Sequence, residues 1–243
     1  MHETLALLSA SGACLATTET ECRGRDNHEK LAERVSHSFT ESEIIAMQIL
    51  VTGKQMKQLD QSTIKQMGIP SLVLMERAAL AVFDCLKQHF PLKKTLVVCG
   101  SGNNGADGVA VARLLHLAGY PVDLYLAGNH TSFTEEMNIQ WQAAKNYQVS
   151  IVNNCRFSEY TTIVDALFGV GLSRELSGKY QALAEKINAS GIPVLAVDIP
   201  SGIHAGTGQV MGTAIRATKR SPLHTVSLGS VCTLDPSMPD IFR

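Results

Sequence analysis

Thr95-Leu-Val-Val-Cys99 runs straight into Gly100-Ser-Gly102-Asn-Asn-Gly105-Ala-Asp-Gly108, and this junction decides the fold. Five consecutive apolar or small residues without alternation describe a strand covered on both faces, as in a parallel sheet. The glycine-rich segment that follows formally satisfies GxGxxG and opens a helix predicted over 106–118, closed by Gly119 as its C′ residue. Glycines there let a backbone approach a phosphate, whose charge the first helical N–H groups would face. The same glycines also suit a tight turn that binds nothing.

Working outward, the alternation of strand and helix repeats. Val122–Leu126, Thr162–Ala166 and Pro193–Val197 read as further buried strands, and 133–146 and 176–190 as helices. Upstream, Met56, Leu59, Ile64 and Met67 recur at helical spacing over 54–67. After Gly68-Ile-Pro70, Ser71 reads as the N-cap of a second helix. Its core stripe is Leu72, Met75, Ala79, Val82, Phe83, Leu86 and Phe90. Strands alternating with helices predict right-handed βαβ units, a three-layer Rossmann-like α/β sandwich with a mostly parallel central sheet. In such sheets ligands bind beyond the carboxyl ends of the strands. Three strand ends carry polar, glycine-containing turns, at 100–108, 165–175 and 198–208, which locates the site.

Bulk properties exclude several classes. The 243 residues carry a net charge of −1 and 18% charged residues, so no broad basic field is offered to nucleic acid or an anionic membrane. No run of about 18 apolar residues suggests a membrane span. Six cysteines without metal or disulfide spacing read as reduced thiols of a cytoplasmic protein.

The turns carry the chemistry. Asn103, Asn104 and Asp107 bring two amides and a carboxylate to the mouth of the first. Asp165 stands where its strand runs out, and a buried aspartate is costly unless paired, hydrogen-bonded or bound to a cation. It also reads as a cap of the following turn. Asp198 and Ser201 repeat the arrangement one strand on. Asn104, Asp165 and Ser201 together offer hard oxygen ligands, a set suited to an alkali or alkaline-earth cation.

GSGNNGADG, VDALFGVGL and AVDIPSG, in this order and spacing, resemble the NAD(P)H-hydrate epimerases, the YjeF N-terminal domain family. The helix pair MKQLDQSTIKQMGIPSLVLMERAA resembles the family's beginning, and the likeness spans residues 47–218. The resemblance implies an isomerase of nicotinamide nucleotide repair, which interconverts the R and S forms of hydrated NADH or NADPH so that a separate dehydratase can use the S form. It implies that Asn103, Asn104, Gly105, Ala106 and Asp107 contact this small-molecule substrate, with Gly169, Val170, Gly171, Leu172, Ser173, Arg174, Glu175 and Asp198. It implies a potassium ion held by Asn104, Asp165 and Ser201, and, by analogy with relatives, a homodimer. Asp198 is the candidate catalytic acid/base.

The two ends differ. Residues 1–46 read as a disordered extension or as the product of a start site upstream of the true one at Met47. Residues 219–243 depart from the family's continuation. An out-of-phase reading of permitted codons for the tail restores that continuation, so the expectation is a frameshifted tail and missing late strands. Two functional alternatives stay open: a non-catalytic scaffold of the same fold, or an inactive truncated product. An ordinary dehydrogenase using Asp123 as its ribose-binding acid is a weaker third, since no catalytic Tyr/Lys pair accompanies it.

Overall fold

The computed structural model describes residues 53–220, with side chains from residue 55 except that of Lys57, and the backbone of one antiparallel pairing, Leu7–Leu8 with Gln48–Ile49. The other expectations for 1–46, and those for 221–243, lie outside the described residues.

Six strands form one sheet: β1 (Thr95–Cys99), β2 (Val122–Leu126), β3 (Ser150–Val152), β4 (Thr162–Ala166), β5 (Val194–Ala196) and β6 (Lys219–Arg220). Their spatial order is β3-β2-β1-β4-β5-β6 and every pairing is parallel. This is the doubly wound Rossmann order, with its reversal between β1 and β4. Helices are α1 (Gly53–Lys65), α2 (Ser71–His89), α3 (Asn103–Leu117), α4 (Glu135–Asn146) and α5 (Gly178–Ala189). The strand β6 begins one residue past Thr218, and its Arg220 pairs with Ala196.

Two cores lie against the sheet, as the unbroken burial of β1 and β4 requires. On one side Val97, Cys99, Val164 and Leu195 pack with Ala79, Val82 and Leu86 of α2, Val109 and Ala112 of α3, and Met137 and Trp141 of α4. On the other Leu96, Val98 and Ile163 meet Ala184 and Ile187 of α5. Cys85 and Cys99 are buried free thiols. Among the described residues no helix is long and apolar enough to cross a membrane.

Several local expectations are corrected. Ser71 is the first helical residue and Pro70 the cap position; the Ser71 hydroxyl donates instead to Glu136 at 3.0 Å. Helix α3 starts at Asn103, three residues early, because the Asn-Asn pair continues the helix from the extended Gly102. Of the residues spaced over 54–67, Met56 is buried, whereas Leu59 in α1 and Met67 beyond its end are exposed, so the spacing marks no full core stripe. Strand β3 was not expected; with two of its three residues exposed it has no apolar run to betray it.

Asp123 is no ribose acid. It is the second residue of β2, far from the strand's carboxyl end, and accepts from Ser150 Oγ (2.5 Å), Tyr160 Oη (2.8 Å) and Lys94 Nζ (3.1 Å). Burial pushes its carboxyl up, but the Ser150, Tyr160 and Lys94 donors outweigh that and hold it below the usual aspartate value of 3.8. A depressed folded value contributes stability that is present above the unfolded one and lost as pH falls through the folded one. Asp123→Asn is therefore expected to cost ~1–2 kcal/mol at neutral pH and to flatten the acid limb below about pH 4. Urea melts across that limb check it; an unchanged pH profile contradicts it.

Candidate active site at the switch point

The turns after β1 and β4 touch at the reversal of strand order. Gly100 N–H donates to Ala166 O at 3.0 Å, and a Cβ on Gly100 would stand 2.1 Å from Leu167 O. Gly105 lies against Gly100 in turn, its Cβ position 2.2 Å from Gly100 O. Glycine is thus needed at both for close backbone approach. The packing aims the amino end of the 15-residue α3 across the carboxyl edge of the sheet.

Asp165 organises the next two turns. It is 1% exposed; its Oδ1 accepts from the Ser201 hydroxyl (2.6 Å) and Leu167 N–H (3.2 Å), its Oδ2 from Ser201 N–H (2.8 Å). The Ser201 hydroxyl also accepts from Phe168 N–H at 2.9 Å. Burial pushes the Asp165 carboxyl up to about 6, against the pull of the Ser201 and Leu167 donors and with the Asp198 charge adding to the rise.

Asp198 stands on the rim. Its Oδ2 accepts from Val170 N–H at 2.8 Å and lies 2.3 Å from the Cβ position of Gly169. The Asn104 amide carbon is 3.3 Å from that same position, so only a glycine there lets the two side chains converge. Both Asn104 amide atoms are buried without a hydrogen-bond partner. Asp107, one turn further along α3, is half-buried; desolvation first, and then the Asp198 and Asp60 charges, raise its carboxyl well above 3.8. Gly169 and Leu172 are buried and Val170 half-buried, whereas Asn103, Gly171, Ser173, Arg174 and Glu175 are exposed on the loop surfaces. Gly105 and Ala106 are buried in α3.

Expected site residues from three separate segments thus meet: Asp165 with Ser201, and Asn104 with Asp198. Two charges were missed. Arg220, paired with Ala196, lies where the Asp198 charge acts on it, while burial pulls its value down. Asp60 acts on Asp107 from α1. Neither had a motif to mark it, since only the packing of β6 and α1 brings them near. Among the described residues no group of three or more His, Cys, Asp or Glu is placed to hold a metal.

Fold and site define a class: a Rossmann-like α/β protein whose turns at the switch point carry amides and carboxylates. The model of the YjeF-related protein N-terminus family matches residues 71–232. The NAD(P)H-hydrate epimerase of Oenococcus oeni is 47% identical over 186 residues, 75% of this chain and 89% of that protein. The one of Weissella koreensis is 49% identical over 170 residues, 69% of this chain and 77% of that protein. The crystal structure of yeast ynu0, YNL200c, superposes with a TM-score of 0.63 at 25% identity, covering 70% of this chain and 78% of that one. The chain belongs to the YjeF-related N-terminal family.

Proposed function

We propose that this protein is an isomerase that interconverts the R and S epimers of hydrated NADH and NADPH. The observation that carries the reading is the convergence of Asn104 and Asp198 over Gly169, at the nucleotide-binding edge of a Rossmann sheet. Relatives at 47% and 49% identity named NAD(P)H-hydrate epimerase support it. The catalytic domain is taken as residues 47–218, with 1–46 an extension and 219–243 a tail, although the family match over residues 71–232 runs into that tail.

The α3 amino end and Asn103, Asn104, Gly105, Ala106 and Asp107 would receive the dinucleotide, with its charged groups facing the helix N–H groups. Gly169, Val170, Gly171, Leu172, Ser173, Arg174, Glu175 and Asp198 would close over it. Epimerisation at C6 needs the ring nitrogen to expel the hydroxyl as water, leaving a planar cation that water re-attacks from either face. Asp198 is the acid/base group, placed by the Val170 N–H.

Potassium fits the oxygen set of Asn104, Asp165 and Ser201. Asn104 has a buried amide oxygen without a partner, and the donors to the buried Asp165 carboxylate are all neutral. Three hydrogen bonds leave lone-pair capacity on that carboxylate. The ion would supply a fixed positive charge that orders the three turns. Potassium at about a hundredfold excess over its Kd is expected to raise stability by ~2.7 kcal/mol. Thermal melts in potassium against a bulky organic cation measure this, and equal melting would remove the ion.

The S form would pass to a separate dehydratase, and we place the reaction in the cytoplasm, on a homodimer. The deciding experiment supplies purified protein with the R epimer and a dehydratase that reports the S form. Conversion above the uncatalysed rate is expected; none would overturn the reading.

A further inference from the structure

A dinucleotide has two ends, and the epimerase reading seats only one of them. With the pyrophosphate at the α3 amino end, over β1, and the nicotinamide beside Asp198 after β5, the adenosine lies on the other side of β1, over β2. From β5 to β2 is three strand spacings, about 14 Å. The loop at the carboxyl end of β2, residues 127–134, is built onto the first turn. The Ser101 hydroxyl donates to Asn129 O (3.1 Å) and accepts from Asn129 N–H (2.8 Å), and Thr134 N–H donates to Ser101 O (3.3 Å). A Cβ on Gly128 would stand 2.0 Å from Ser101 Oγ, so a glycine lets the two turns close into one rim. Asn129, His130, Thr131 and Ser132 are exposed at the tip. The His130 ring rests on Phe133 and Trp141, with centroids 4.8 and 5.1 Å away, an aromatic base for a purine to stack on. Asn129 Oδ1 accepts from Thr131 N–H at 3.1 Å, which leaves its NH₂ group as the donor for a ligand. Residues 127–134 contain no carboxylate. The next ones, Glu135 and Glu136, open α4, and Glu136 accepts from Ser71 of α2 at 3.0 Å. In dinucleotide folds an acid in this region takes the ribose 2′-hydroxyl and its charge opposes a 2′-phosphate. Here Asp123 sits too early in β2 for that task, and a neutral amide stands at the strand's end.

We propose that the 127–134 loop seats the adenosine end of the substrate and that Asn129 sets the choice between the two hydrates. As a neutral donor where a ribose-binding acid would stand, it admits the 2′-phosphate of hydrated NADPH as well as the 2′-hydroxyl of hydrated NADH. The inference rests on the epimerase reading. His130 contributes to both substrates alike, because the adenine is common to them; the 2′ position is where they differ, and Asn129 is the group that reads it.

The test compares exchange of hydrated NADPH and hydrated NADH by the full chain, wild type against Asn129→Asp, at low and high salt. The substitution keeps an Oδ1 to hold Thr131 N–H and adds a charge. Two like unit charges about 4 Å apart shift an equilibrium by about fivefold even in bulk water, and a phosphate dianion by more. Asn129→Asp is therefore expected to lower kcat/KM for the NADPH hydrate, relative to that for the NADH hydrate, by at least ~5-fold at low salt. The effect should shrink toward 1 M salt, where the screening length falls to about 3 Å. Adenosine 2′,5′-bisphosphate carries the 2′-phosphate without a nicotinamide; by calorimetry it should bind Asn129→Asp at least ~5-fold more weakly than wild type. A smaller change in the ratio, an equal loss on both hydrates, or a change that salt does not relieve overturns the proposal. If Asn129→Asp fails to fold, Thr131→Asp places the charge on the same exposed turn and is judged by the same ratio. A wild type without exchange on either hydrate overturns the epimerase reading itself, whereas exchange whose preference ignores the loop overturns this inference alone.

Discussion

Asp198→Ala is expected to lower epimer exchange by at least ~1,000-fold, toward the upper part of the range for a positioned acid/base group. The side chain's Oδ2 is held by one backbone donor, Val170 N–H at 2.8 Å, and lies against Gly169 opposite the Asn104 amide. Truncation removes the proposed acid/base group as well as a contact. The fold should persist. Asp198 is half-buried on the rim, and its loss orphans a partly buried N–H at a cost of ~1–2 kcal/mol. The dehydratase-coupled assay and a thermal melt on the same preparation separate the two effects. Exchange at the wild-type rate would remove Asp198 from the mechanism.

Gly105→Ala is expected to be the most damaging small change for stability. The added methyl would stand 2.2 Å from Gly100 O and 2.7 Å from Gly100 C, all of it backbone. A flexible side chain could swing aside; Gly100 cannot, because it is itself pressed against Leu167 O, with 2.1 Å to its own Cβ position. Relief requires α3 to lift from the sheet, where Gly108 already lies against Ala166 and Cys99. Overpacking ordinarily costs 1–3 kcal/mol, and this backbone wedge should reach at least ~3 kcal/mol. In a domain of this size that lowers the melting midpoint by roughly 10 °C. A midpoint within about 2 °C of wild type, less than 1 kcal/mol on that scale, would show that the turn has slack the distances deny.

The covered strands were legible because their residues are apolar on both faces, and burial on both faces is what β1 and β4 have. Their order of connection, strand then helix, already implied a parallel sheet. The three site turns were legible for a related reason: polar and glycine residues directly after an apolar run have no role inside the core, so Asn104, Asp165, Asp198 and Ser201 stood out. Strands β3 and β6, of three and two residues, carry no such contrast. They exist because neighbouring strands offer unpaired backbone groups, not because their own side chains ask for it.

Sequence alone therefore determined which residues are polar at strand ends and that the chain alternates strand with helix, since both are local properties of hydrophobic pattern. Only the tertiary structure decided that Asp165 spends its oxygens on Ser201 and Leu167, that Asn104 and Asp198 meet over Gly169, and that Asp60 and Arg220 act on the two carboxyls. Those outcomes depend on distances between segments remote in the chain, and electrostatic and hydrogen-bond energies are set by such distances and by burial.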